Sequence, residues 1–185
     1  MISIRDLQEI GTVPRIHGNG FMQLDFKNGQ RLHIWGHPDL PRQKIDTSIH
    51  NHRFNFRSEI IVGRLINAVY DFSKVTDAPT HALFEPVTRD GEDTVLEPVA
   101  GAFKVMLHHP AMRLISAGQS YNMHGMKYHE SFTDRPSASI MTKIGSSGNS
   151  PRVLVPIGTA PDNEFNRNNA MPVEHMWDII GQVLG

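Results

Sequence analysis

The residues whose types and spacing could do chemistry cluster in the stretch from Ser48 to Phe72, and at its centre is His50-Asn51-His52. In an extended strand, residues i and i+2 point to the same face, so both imidazoles would project together. Two imidazoles presented from one rigid strand are a start on a transition-metal site, because imidazole nitrogen suits several first-row divalent metals. The same spacing also arises on a polar sheet face that binds nothing, so the pair needs support from the rest of the chain. Composition supplies part of it. The chain has 11 histidines and no cysteine, which removes disulfides, thiolate nucleophiles and thiolate zinc sites while leaving imidazole chemistry abundant.

The elements that must position this pair read as strands. Phe21–Phe26 and Gln30–Trp35 flank Lys27-Asn28-Gly29, and Asn-Gly between alternating apolar runs predicts a hairpin. Pro38 and Pro41 mark a loop, after which comes the strand carrying His50. From Ser58 to Tyr70 the pattern predicts two strand segments broken at Gly63, where an isolated glycine signals a bend or bulge. Further strand-like runs follow at His81–Val87, Thr94–Pro98, Ala102–His108, Met112–Ser116, Ser137–Ile144 and Arg152–Pro156, with a turn at Arg89–Asp93. Short strands at regular intervals predict an all-β sandwich or barrel. Residues 2–10 fit a short helix. After a polar loop over 158–169, Val173, Met176, Trp177, Ile180, Val183 and Leu184 form an apolar stripe at helical spacing, suited to packing on the barrel or on a second subunit. The expectation is one domain over 1–185, with the barrel over about 20–157 and the C-terminal helix over about 172–184.

Charge and hydropathy narrow the function classes. A formal net charge of −1 gives no basic field for nucleic acid or an anionic membrane surface. No apolar run is long enough to span a bilayer and the first residues lack a signal-peptide profile, so the expected location is cytoplasmic.

In two stretches the chain resembles the cupin superfamily, small double-stranded β-helix (jelly-roll) barrels. Its first motif runs from His-x-His through a glutamate to a glycine. Here His50, His52 and Gly63 fall on it, with three residues between His52 and Phe56 and six between Phe56 and Gly63. Phe56 therefore occupies the slot that usually holds the glutamate ligand. The second motif is matched by Gly118, Gly125 and His129, without its usual proline and with Thr133 near its end. The resemblance implies a cupin-like barrel with short terminal helices and a three-histidine site made of His50, His52 and His129. This ligand set is similar to that of the thiol dioxygenases, which use Fe(II). It implies a divalent transition metal, Fe(II) first, with Mn, Ni, Zn or Cu also compatible.

The resemblance further implies a small-molecule substrate or ligand, and cupin habit together with the apolar helix implies a homodimer. Arg53 and Arg57 are candidates for an anionic substrate group, since guanidinium forks match carboxylates. Phe56 is a candidate pocket wall, and Tyr121 and Tyr128 are candidate acids or bases. Tyr128 precedes a candidate ligand, so on a strand it would face the other way. His17, His33, His37 and His81 have no partner spacing and read as ordinary packing or surface histidines, and at most one of His108 and His109 could enter the barrel. Two functions follow: a metal-dependent cupin enzyme, foremost a non-haem Fe(II) dioxygenase acting on a small polar molecule, or a non-catalytic cupin that captures a small polar or phosphorylated ligand.

Overall fold

A computed structural model describes residues 4–41, 48–89, 93–148, 150–161 and 171–185 of the chain. The centre of the turn expected over Arg89–Asp93 and most of the loop expected over 158–169 lie outside these residues. In chain order the elements are α1 (Ile4–Ile10), β1 (Arg15–Ile16), β2 (Met22–Asp25), β3 (Arg31–Trp35), β4 (Phe54–Val62), β5 (Arg64–Tyr70), β6 (Phe72–Val75), β7 (His81–Arg89), β8 (Asp93–Pro98), β9 (Lys104–Leu107), β10 (Ala111–Ser116), β11 (Ser120–Met123), β12 (Tyr128–Phe132), β13 (Ser137–Ser146), β14 (Val153–Pro156) and α2 (Val173–Leu184). The chain is mostly β, as its pattern predicts.

Three antiparallel sheets form. One has the order β1-β2-β3-β13-β4-β11, a second β10-β5-β12, and a third β14-β7-β9-β6 with β8 added on β7. Each order has two ends, so none of the sheets closes on itself among the described residues. The jelly-roll barrel expected from the resemblance is thus not closed by its hydrogen bonding. Two of the sheets are joined where β4 hands the chain to β5. Gly63 makes that junction at φ 70, and a Cβ there would lie 2.3 Å from Ser137 Oγ, so the corner is both left-handed and sterically closed.

The six-stranded sheet alternates between its two faces, with register shifts where β13 pairs with the ends of β4. Met22 and Leu24 of β2, Leu32 and Ile34 of β3 and Ala138 of β13 point one way and pack with Met176, Ile179, Ile180 and Val183 of α2 and Leu7 of α1. The apolar stripe of the C-terminal helix is therefore buried against its own sheet. On the other face, β2 presents Gln23 and Asp25, β3 presents Arg31, His33 and Trp35, β13 presents Met141 and Lys143, and β4 presents Phe54, Phe56 and Ser58. The registers line these up in rows across the strands: Asp25–Arg31–Met141–Ser58–Tyr121 is one and Lys143–Phe56–Met123 another. This polar and aromatic face lines a cavity of about 490 Å³.

Candidate metal centre

The segment carrying His50 and His52 is not a regular strand, since β4 begins only at Phe54. It is held as one nonetheless. His50 exchanges both backbone hydrogen bonds with His129 of β12, at 3.0 and 2.9 Å, and on its other side bridges Val153 of β14. Leu154 N–H donates to Ile49 O, Asn51 N–H donates to Arg152 O, and Arg152 N–H returns a bond to Asn51 Oδ1 at 2.6 Å. Directly opposed residues of an antiparallel pair share a face, so His50 and His129 project together. His52, two residues on, joins them.

The outcome is a compact trio. One ligating nitrogen from each of His50, His52 and His129 lies within 4.8 Å of the others, and no other such group of three occurs among the described residues. Nε2 of His52 is 2.9 Å from Nε2 of His129. Two imidazole nitrogens bound about 2.0–2.1 Å from one ion and at right angles would be separated by about the same amount. Each flanking ring is steered from behind. His129 Nδ1–H donates to Asn67 Oδ1 at 2.8 Å, and His50 Nδ1–H donates to Ser48 O at 2.7 Å. Both bonds place the ring proton on Nδ1 and leave the Nε2 lone pair for the centre, the arrangement that metal-ligating histidines commonly show.

The supports extend outwards. Asn67 Oδ1 also accepts from Ser131 Oγ at 3.2 Å, and the Tyr121 hydroxyl is hydrogen-bonded to Ser131 and Ser58. On the far side, Ser48 Oγ donates to Glu130 Oε2 at 2.6 Å, and Tyr70 OH donates to Glu130 Oε1 at 2.5 Å. Glu130 thus ties down the residue whose carbonyl orients His50.

Burial pushes the pKa of all three histidines down, and for His52 and His129 the neighbouring imidazoles push it further. The rings are therefore neutral, the form that binds a metal. Three converging imidazole nitrogens, tautomers set at His50 and His129, and neutral rings fit a divalent transition ion. With no carboxylate among the three, the bound ion would keep its full charge and have open positions for water or substrate.

The structure distributes the other expected residues unevenly. Phe56 lies in the cavity wall, its ring 5.0 Å from that of His52 and 5.8 Å from that of His129, so an apolar surface stands where a glutamate ligand would be. Tyr121 is buried in the same wall, where desolvation raises its phenol pKa. Arg53 is exposed at the cavity rim.

Arg57 requires correction. It alternates with Phe56 and Ser58, so it projects from the outer face of β4 and is exposed away from the cavity. Tyr128 requires correction too. Its neighbour His129 faces the cavity, and Tyr128 instead packs with Ile49, Leu83 and Phe72 in a separate cluster, its pKa pushed up to about 12 mainly by burial. His124 and His108 are exposed and neither lines the cavity nor joins the trio.

Residues that sequence reasoning passed over are now in the wall: His17, Gln23, Arg31, His33 and Lys143. His33 is neutral, its pKa lowered to about 3 chiefly by burial and then by Arg31, and its Nε2 has no protein partner. The signal for these residues was the period-2 alternation of the β2–β3 hairpin. Once Leu24, Leu32 and Ile34 are assigned to the helix-covered face, Gln23, Arg31 and His33 must share the other. No helix among the described residues is long and apolar enough to cross a membrane. No protein-family model and no curated protein matches the chain, so the reading of this centre rests on its geometry.

Proposed function

We propose that the chain is a cupin-like, metal-dependent oxygenase that holds Fe(II) on His50, His52 and His129 and acts on a small polar molecule in the adjoining cavity. The observation that carries this reading is the convergence of three neutral imidazoles, two with their tautomer fixed by a backbone or amide oxygen, at the wall of a cavity of about 490 Å³. The finer fold assignment, a jelly roll, draws its support from antiparallel pairing throughout and from ligand-bearing segments that meet across two sheets.

A bound Fe(II) with open positions supplies a site where substrate and dioxygen can meet in one coordination sphere, turning a bimolecular encounter into an oriented one. The chain's own residues shape what enters. Phe54 and Phe56 form an apolar wall beside His52 that would disfavour water on that side of the centre. The Tyr121 hydroxyl, with its pKa raised by burial, stays protonated at neutral pH and acts as a hydrogen-bond donor rather than a base. Its bonds run through Ser131 and Asn67 to His129, so a proton-bearing group is tied to the same framework as a ligand.

A second reading, a protein that captures a small polar ligand without chemistry, draws on the cationic and amide groups of Arg31, Lys143 and Gln23 in the wall. One experiment separates them. The purified chain is analysed for metals as isolated and after anaerobic Fe(II) loading, and oxygen uptake is then followed with small thiols and organic acids. One iron per chain with substrate-dependent oxygen consumption supports the oxygenase. Another metal at that stoichiometry retains the three histidines but replaces the chemistry. No metal in either sample overturns the oxygenase and leaves the capture reading.

A further inference from the structure

Beside the histidines, the cavity wall carries more positive charge than it neutralises. Lys143 Nζ lies 5.0 Å from the centroid of the Phe54 ring and Arg31 Cζ 5.7 Å from it, while the same ring is 5.4 Å from that of His52. Arg53 lines the cavity next to Phe54. One carboxylate serves this group: Asp25 pairs with Arg31 Nε at 2.8 Å and with Arg15 at 2.5 Å. Lys143 and Arg53 form no ion pair among the described residues. The mutual repulsion is felt, since Lys143 is made more acidic by burial and then by Arg31 and Arg53.

A surplus of cations on a partly enclosed wall raises the local concentration of anions and binds them by charge-assisted hydrogen bonds. On the same face of β3 as Arg31, the unpartnered Nε2 of His33 leaves a second polar demand that the protein does not meet. Between these polar points the wall is flat and aromatic, with Phe21 stacked on Trp35 at 4.2 Å and Phe54 set against Phe56.

From this juxtaposition we infer that the cavity takes a planar organic acid whose anionic group sits among Lys143, Arg53 and the part of Arg31 not engaged by Asp25, with its body against the aromatic wall and its far end toward the three histidines. The inference deepens the proposed function and rests on its identification of this cavity as the ligand site. The Phe54 ring is near the Lys143 and Arg31 cations and also near the His52 ring, so a flat body lying on it would have the cations at one part of its edge and the histidines within reach of another. A two-carbon chelator that binds the metal through all its polar atoms would leave Lys143 unused.

The test uses the full chain and three pairs of probes: benzoate, phenylacetate and 3-phenylpropionate, each against its primary amide, titrated by ligand-observed NMR. At least one acid should bind about tenfold or more tightly than its amide, the scale of one charge-assisted contact. That preference should disappear in Lys143→Met/Arg53→Met, a double variant of two exposed side chains whose thermal midpoint should stay near that of the parent. Acids that bind no better than amides, acids that do not bind at all, or a preference that survives in the double variant would each overturn the inference. Repeating the titration in His52→Ala separates the two readings. A charge preference that persists there, with metal lost, establishes the anion site independently of the metal. Absence of metal from the parent protein bears on the oxygenase alone.

Discussion

The two faces of the six-stranded sheet are made by the same strands and meet opposite demands. On the helix side, Met22, Leu24, Leu32 and Ile34 are almost wholly buried against Ile179 and Ile180, and the chain's own C-terminus supplies the cover. On the cavity side the same strands place Gln23, Asp25, Arg31 and His33, leaving a buried nitrogen unpaired and like charges crowded. One face gains stability from dry burial, at roughly 25 cal/mol per Å² of apolar surface. The other buries Phe56, Ile60 and Met141 as well, but sets Gln23, Arg31 and His33 beside them as a polar wall. The difference teaches that the candidate site is written in alternate residues of strands whose other residues pack against the helices.

The contrast can be broken most sharply with two truncations. His52→Ala should remove the metal, with stoichiometry falling from about one toward zero, and leave urea unfolding nearly unchanged. Ile180→Ala, at a fully buried position, should do the reverse: a loss of about 2–5 kcal/mol by urea unfolding, with metal stoichiometry intact in the folded protein. Metal retained by the histidine variant would remove that side chain from the site. A metal loss that tracked the unfolding of Ile180→Ala would mean that the two faces are not separable.

A smaller effect is expected one layer back. Asn67→Ala removes the acceptor that fixes the tautomer of His129 and should weaken metal binding about 10–100-fold, measured by competition with a chelator. An unchanged affinity would show that the ring is oriented by packing alone.

The smallest change, and the most telling for the comparison, concerns His33. Its pKa is about 3 in the folded chain against an ordinary 6.5, so the unfolded chain binds the extra proton first. The stability it contributes is complete above about pH 6.5 and is lost as pH falls through that value toward about 3, at up to about 1.4 kcal/mol per pH unit for one proton. His33→Leu should flatten this acid limb by one proton while shifting stability at pH 7 by less than about 1 kcal/mol, because it also removes a buried unpaired nitrogen. An acid limb of unchanged slope in urea unfolding at pH 5 and 7 would show that His33 is not the group being protonated.

Much of this was legible from local pattern. The hairpin at Asn28-Gly29, the break at Gly63, the helix at 173–184 and the same-side projection of His50 and His52 all follow from dihedral preference and periodicity, which act over a few residues. His129 entered through its spacing from Gly125 in a motif of the resembled family. The sequence concealed the partners that give these residues meaning. Asn67 meets His129 across 62 positions and Ser48 meets Glu130 across 82, and no local rule links residues so far apart. Arg57 was nominated on the fit of a guanidinium to a carboxylate, which says nothing about which face of β4 the side chain takes. Lys143 was passed over because its strand is brought beside β4 only by the sheet order, in which β13 lies between β3 and β4.

One residue without a side chain bears on descent. Gly125 passes so close beneath the histidine-bearing segment that a Cβ would lie 2.7 Å from His52 O and 2.6 Å from Phe54 O, while its own carbonyl receives His52 N–H at 2.9 Å. A methyl group there would push the His52 strand away from β12, and with it one imidazole away from another. Among any relatives of this chain, position 125 should therefore act as a marker. A lineage that keeps both histidines of the pair but gains a side chain at this glycine is expected to have abandoned the shared centre, whatever its overall resemblance.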